Sequence, residues 1–138
     1  MTGEKIKRND GQWKAQLSEL AYRVTRRGGT EPAFSHDDFP KAPGRFHCLC
    51  CGAALFDAAD KFDSGTGWPS FLRPAVPENV GERPDNSLFM RRTEVHCTAC
   101  DAHLGHVFSD GPQPTGLRYC INGVALEFRP EQGADAPG

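Results

Sequence analysis

Arg118-Tyr119-Cys120-Ile121-Asn122 places a thiol two residues from a guanidinium on one side and two from a carboxamide on the other. On an extended strand side chains alternate between faces, so Arg118, Cys120 and Asn122 share one face, with Tyr119 and Ile121 opposite. A neighbouring cation favours the thiolate, and an amide can hold a substrate oxygen, so this face suits nucleophilic chemistry. A solitary cysteine can equally be an inert buried side chain, half of a disulfide or a metal ligand. The same alternation continues through Val124, Leu126 and Phe128, which read as core. Gly123 therefore has to break the register between site and core.

The other five cysteines form two clusters, Cys48-Leu-Cys50-Cys51 and Cys97-Thr-Ala-Cys100. Two residues between cysteines let both sulfurs turn toward one ion, and two such pairs complete a closed tetrahedral zinc site. The competing reading is two independent redox or buried pairs. Neither C-x-x-C opens an evident helix after a strand, as a thioredoxin-like pair should. Cys50 offers a second choice in the first cluster; the C-x-x-C-G spacing selects Cys48 and Cys51 and leaves Cys50 spare. Zinc here would clip together two hairpins of a domain with a modest core.

His96, His103 and His106 lie close together in sequence. His96 abuts a cysteine pair and is expected on the surface, without a role. His103 and His106 stand three apart, on opposite faces of a regular strand. A bulge at Gly105 could re-aim one ring so that both serve one site; each could also be a structural histidine. Gly67-Trp68-Pro69-Ser70-Phe71 sets a tryptophan in a Gly-rich loop. It is either an anchor tucked into the core or an aromatic wall for an apolar or sulfur-bearing ligand.

These residues need a scaffold, and 138 residues are enough for one domain. Fifteen glycines and eleven prolines favour short connections over long helices. Trp13, Leu17, Leu20 and Ala21 recur at helical spacing, and Ser18 can cap a second short helix ending near Gly28–Gly29. After Arg45 the texture changes to short strand-like runs, FHCLCCGAALF, SLFMRRTEVHC, HLGHVFSD and LRYCINGVALEFRP. The stretch DSGTGWPSFLRPAVPENVGERPDN reads as a long turn-rich segment. The chain is therefore expected to be mainly β, an antiparallel core over residues 10–130 with a small helical arm. Residues 1–9 and 131–138 are expected to be flexible.

A net charge of −2 gives no basic field for nucleic acid. No apolar run is long enough to span a bilayer, and the opening MTGEKIKRNDGQWK holds no secretory signal. The cytosol is the expected compartment, where cysteines bind metal or catalyse more often than they form disulfides.

Taken together, YRVTRRGGTEPAF, the paired C-x-x-C knuckles, KFDSGTGWPSF, RTEVHC, DAHLGHVFSDGP and LRYCINGVAL resemble methionine sulfoxide reductases of the B type. The resemblance runs from about Trp13 to Pro130. It implies a β-tent-like fold of two antiparallel sheets with short N-terminal helices, and reduction of methionine-R-sulfoxide, mainly in proteins. It implies that Cys120 is the nucleophile and that Trp68 receives the substrate methyl. His103, His106, Asp110 and Asn122 would form the polar wall around the sulfoxide, with Arg118 beside them. Cys48, Cys51, Cys97 and Cys100 would hold the one structural zinc that many members carry. A histidine is a suitable acid at neutral pH, and the products would be methionine and a Cys120 sulfenic acid.

One position departs from the family. Many members carry a resolving cysteine before Gly67, and here that residue is Thr66. Thioredoxin or another external thiol is then the expected reductant, with Cys50 as the alternative resolving thiol. A monomer is expected. Two rival readings stay open: a non-enzymatic β-tent zinc module binding a ligand at Trp68, and a metalloenzyme using His103, His106 and Cys120.

Overall fold

The computed structural model describes residues 8–86 and 90–131. Of the segments expected to be flexible, 1–7 and 132–138 lie outside the described residues. Two short helices open the fold, α1 Asp10–Gln16 and α2 Glu19–Arg27. Asn9 and Gln12 cap α1 reciprocally, each side chain accepting the other's backbone N–H at 2.8 and 2.9 Å. Ser18 accepts from Ala21 N at 3.1 Å to start α2, and Gly28 ends it. The apolar residues Ala21, Tyr22 and Val24 of α2 are buried, and the helix packs on a strand of the larger sheet. Arg26 lies over the Trp13 ring at 4.2 Å and ties the two helices together.

Among the described residues nine strands follow: β1 Gly44–Cys48, β2 Ala54–Asp57, β3 Lys61–Phe62, β4 Ser70–Phe71, β5 Val80–Asp85, β6 Arg92–Cys97, β7 His103–Phe108, β8 Arg118–Ile121 and β9 Leu126–Pro130. They form an antiparallel three-stranded sheet, β2-β1-β9, and an antiparallel six-stranded sheet, β3-β4-β8-β7-β6-β5. The core joins them through aromatic rings. Phe56 from β2 stacks on Phe71 from β4 at 4.5 Å, and Phe46 from β1 meets Phe71 edge-on at 5.1 Å. All three rings are fully buried, each stabilising by about 1.5–3 kcal/mol relative to an exposed side chain.

The fold corrects three expectations. The stretch read as turns, 63–86, contains β4 and β5. Strand β5 is charged and carries Pro84, which a strand tolerates at an edge, and β5 lies at the edge of its sheet, pairing only with β6. The single apolar run LRYCINGVALEFRP is two strands in different sheets, parted by a helical turn at Gly123–Ala125. Gly123 does break the register. A β-carbon there would fall on the His36 carbonyl oxygen, so only glycine lets the chain cross at that point. Finally, His96 is buried rather than exposed, its ring filling the space left by the missing side chain of Gly81.

Candidate active site

Cys120 sits on β8 between two neighbours, directly paired with Ser70 of β4 on one side and His106 of β7 on the other. It opens into a cavity of about 270 Å³ walled by Thr66, Trp68, His106, Arg118 and Asn122. That volume lies at or below the range of cofactor and drug-sized sites and suits one side chain of a larger substrate. A wider groove of about 780 Å³ runs along the β5–β6 edge, but no cysteine or histidine lines it. Arg118, Cys120 and Asn122 all reach one cavity, as expected from the sequence, but Ile121 lines it too and Asn122 lies just past the end of β8.

Arg118 is held rigidly. Asp110 accepts from its Nε at 2.9 Å and from a terminal nitrogen at 3.1 Å, and the guanidinium lies 4.5 Å from the Phe108 ring centre. Asp110 is exposed and does not line the cavity; its carboxylate orients the cation that does. The Asp110 bond keeps Arg118 cationic, and Arg118 in turn holds the Asp110 carboxyl below its ordinary value. Cys120 itself is pulled both ways. Burial, the largest influence, leaves its thiol above the ordinary value; the Glu31 carboxylate adds to that, and the Arg118 charge and the Thr66 hydroxyl offset part of it.

The two histidines are brought together, by a bulge one residue earlier than expected. Val95 pairs with Gly105 and His96 with His103, so Leu104 is the extra residue on β7. The rings then lie 5.5 Å apart, edge to face. Only His106 lines the cavity. Its Nε2 is 2.7 Å from Asp85, and burial, the largest influence, pushes the imidazole below its ordinary value. His103 stands behind it, with Nδ1 2.6 Å from Glu94, while Arg83 donates to the same carboxylate at 2.6 Å. Asn122 is committed to backbone: it donates to Leu104 O at 3.0 Å and accepts from Glu31 N at 2.9 Å.

Glu31 is the residue the sequence did not single out. It lies in the irregular stretch between α2 and β1, yet it is almost wholly buried. Its carboxylate accepts from Gly123 N and Val124 N, both at 2.8 Å. Its backbone carbonyl accepts from Trp68 Nε1 at 3.0 Å. One residue thus fastens the tryptophan, the asparagine and the turn that follows Cys120. Gly67 has φ +89 and a β-carbon there would come 2.7 Å from Phe34, so the Trp68 loop can lie against this arm only with glycine. Nothing local in TEPAF announces burial; the partners are about ninety residues away.

The four cysteines chosen by spacing converge where the ends of β1 and β6 meet. The Cys48, Cys51, Cys97 and Cys100 sulfurs lie within 4.8 Å of one another, with Cys48–Cys100 at 3.7 Å and Cys51–Cys97 at 3.6 Å. A tetrahedron of sulfurs about 2.3 Å from zinc has edges of about 3.8 Å, so this cluster fits a metal centre with thiolate ligands. Cys50 is buried beside it, against Cys100, Cys48 and Thr25, and does not reach the Cys120 cavity. Among the described residues no such convergence joins His103, His106 and Cys120, which argues against the metalloenzyme reading.

Residues 17–130 match the SelR domain family. A protein of Pseudomonas paraeruginosa called peptide methionine sulfoxide reductase MsrB is 52% identical over 130 residues, 94% of this chain and 98% of the relative. Proteins of the same name from Hahella chejuensis and Chromohalobacter salexigens are 50% identical over 131 residues and 53% over 129. These cover 94% and 92% of this chain, and 94% and 97% of the relatives. The chain belongs to the methionine sulfoxide reductase B family. Membership agrees with the mainly β fold of two antiparallel sheets and two short helices described above. Among the described residues no helix is long and apolar enough to cross a membrane.

Proposed function

We propose that this chain reduces methionine-R-sulfoxide, chiefly in proteins, to methionine, with Cys120 as nucleophile. The observation that carries this reading is the cavity that sets Cys120 among Trp68, His106 and Arg118. The ring of Trp68 offers an apolar surface for the substrate methyl, and the cavity admits one side chain of a protein. The Cys120 thiolate attacks the sulfoxide sulfur. The S–O bond breaks as the oxygen passes to Cys120 and takes a proton, leaving methionine and a Cys120 sulfenic acid. His106 is the acid placed to supply that proton. Arg118, oriented by Asp110, stabilises the thiolate, while His103 and Asn122 position the wall.

The sulfenic acid must then be reduced. Thr66 cannot form a disulfide, and Cys50 faces the cysteine cluster instead of the cavity, which supports attack by an external thiol. That thiol, thioredoxin or a smaller one, forms a mixed disulfide with release of water, and a second thiol frees Cys120. Cys48, Cys51, Cys97 and Cys100 are read as holding one structural zinc, which would brace the ends of the two sheets. A single domain over 10–130 acting as a monomer in the reducing cytosol completes the proposal.

The test is stereoresolved turnover of R- and S-sulfoxide substrates with dithiothreitol and, separately, thioredoxin. Reduction of the R form alone, abolished in Cys120→Ser with zinc content unchanged, is expected. Substantial turnover in Cys120→Ser defeats the assignment, and binding at Trp68 without turnover favours a non-enzymatic module.

A further inference from the structure

The two histidines of the site are mounted in the same way but through opposite nitrogens. His103 meets Glu94 through Nδ1 at 2.6 Å, and Arg83 donates to the other oxygen of that carboxylate at 2.6 Å. His106 meets Asp85 through Nε2 at 2.7 Å, and Arg92 donates to the same Asp85 oxygen at 3.4 Å. Each ring is thus backed by a carboxylate that an arginine holds in turn. Sheet register builds both arrangements. Arg83 and Asp85 on the edge strand β5 lie opposite Glu94 and Arg92 on β6, and Glu94 lies opposite His106 on β7. Asp85 therefore reaches its ring diagonally, across β6. Of the two rings only His106 lines the cavity. Among the described residues the remaining nitrogen of His103, Nε2, is buried without a partner.

An ionised carboxylate only accepts hydrogen bonds, whereas a neutral imidazole has one N–H and one bare nitrogen. The nitrogen that meets Asp85 therefore keeps its proton in both states of the ring, and the other nitrogen gains and loses one. Among the described residues Nδ1 of His106 has no other partner, and it belongs to the ring that borders Cys120.

We propose that Asp85 is a positioning residue that keeps one proton on Nε2 of His106, so that the proton given to the sulfoxide oxygen leaves from Nδ1. The inference rests on His106 being the acid of the proposed function. Protonated His106 passes its Nδ1 proton to the oxygen as the S–O bond breaks, and is left neutral with Nε2–H still on Asp85. Burial disfavours the protonated ring; Asp85 favours it, and Arg92 and His103 oppose it. Glu94 on β6 and Cys120 on β8 are its in-register neighbours, and Arg118 lines the same cavity. From the arm and the Trp68 loop the cavity receives Thr30, Thr66 and Trp68, none of which is ionisable.

The experiment uses the intact, metal-loaded protein. Nitrogen NMR of histidine-labelled protein follows both ring nitrogens of His106 as pH is raised, with His106→Gln giving the assignment. Nε2 is expected to stay protonated throughout, its proton shifted downfield by the carboxylate, while Nδ1 alone titrates. Asp85→Asn removes the charge with little change of shape. It is expected to lose the downfield proton and to slow single-turnover methionine formation at neutral pH by about tenfold or more, with the half-saturating sulfoxide concentration little changed. The pH through which that rate falls should also move lower. Arg92→Leu takes a cation from beside the ring and should move the same fall to higher pH; a general disturbance of packing would move both variants the same way. Titration at Nε2 overturns the proposal, as do coincident profiles for Asp85→Asn and wild type, or shifts of one sign in both variants. Should a variant fail to fold by circular dichroism, the wild-type nitrogen assignment decides alone. That readout needs no sulfoxide. Titration at Nδ1 in a protein without reductase activity would refute the proposed function and leave the hold of Asp85 on the ring standing; normal R-sulfoxide turnover with titration at Nε2 would do the reverse.

Discussion

Replacing Glu31 by glutamine probes the clamp that joins the arm to the site. Both carboxylate oxygens accept backbone N–H bonds, from Gly123 and Val124. Glutamine keeps the shape but presents one oxygen and one NH₂, so one of those amides meets a donor. A hydrogen bond to a charged acceptor contributes about 1.5–3 kcal/mol, and a buried unmatched donor costs about 1–3 kcal/mol. Part of this is offset. Burial pushes the Glu31 carboxyl up, so the charged form carries a desolvation cost that a neutral amide avoids. The net loss expected is about 1–3 kcal/mol. At about 3–5 °C per kcal/mol for a chain of this size, the melting temperature should fall by about 3–15 °C.

The pH dependence carries a sign. A carboxyl whose folded value is raised contributes stability that is fully present below its unfolded value, near 4.5, and is lost as pH rises through the folded value. The gap between wild type and Glu31→Gln should therefore narrow as pH rises above the ordinary carboxylate range. Trp68 and Asn122 both bond to the Glu31 backbone, so kcat/KM should fall at temperatures well below melting. Scanning calorimetry across pH, with R-sulfoxide turnover on the same samples, makes the check. An unchanged melting temperature with full activity would refute the clamp.

Converting Cys97 to Ser should release the metal and lower thermal stability sharply, because binding energy at such a site is folding energy, of order 10 kcal/mol in small zinc peptides; chelation without loss of stability would count against a structural role. His106→Gln should slow single-turnover methionine formation by about 10²–10⁴-fold, and His103→Gln by less, since only His106 lines the cavity. The His106-dependent limb of the pH profile should lie below the ordinary imidazole value of 6.5, with the rate falling as pH rises through it, because burial disfavours the protonated ring; equal losses in both variants would refute the division of roles. After a single turnover without reductant, one thiol per chain should be lost with no internal disulfide, and Cys50→Ser should turn over normally. Peptide mapping that found a Cys50–Cys120 disulfide would reverse that prediction.

Much of the chemistry was legible because it depends on short spacings. Alternation along a strand placed Arg118, Cys120 and Asn122 on one face, and C-x-x-C spacing picked the four converging sulfurs and set Cys50 aside. Both follow from backbone geometry over a few residues, which no distant part of the chain has to supply. Other features depended on what lies across the fold. Strand β5 escaped notice because an edge strand needs no apolar face, and its polar, Pro-containing run looks like a turn. The bulge fell at Leu104 because the pairing of β6 with β7 sets the register. Asp110, just beyond the end of β7, became the partner of Arg118 on β8, and the β6–β7 pairing set His103 behind His106. Glu31 shows the limit most clearly. Its burial comes from amides about ninety residues away, and a loop glutamate carries no local sign of that. Residue type and local period decided which groups could react; packing of the two sheets and the arm decided which of them face one another.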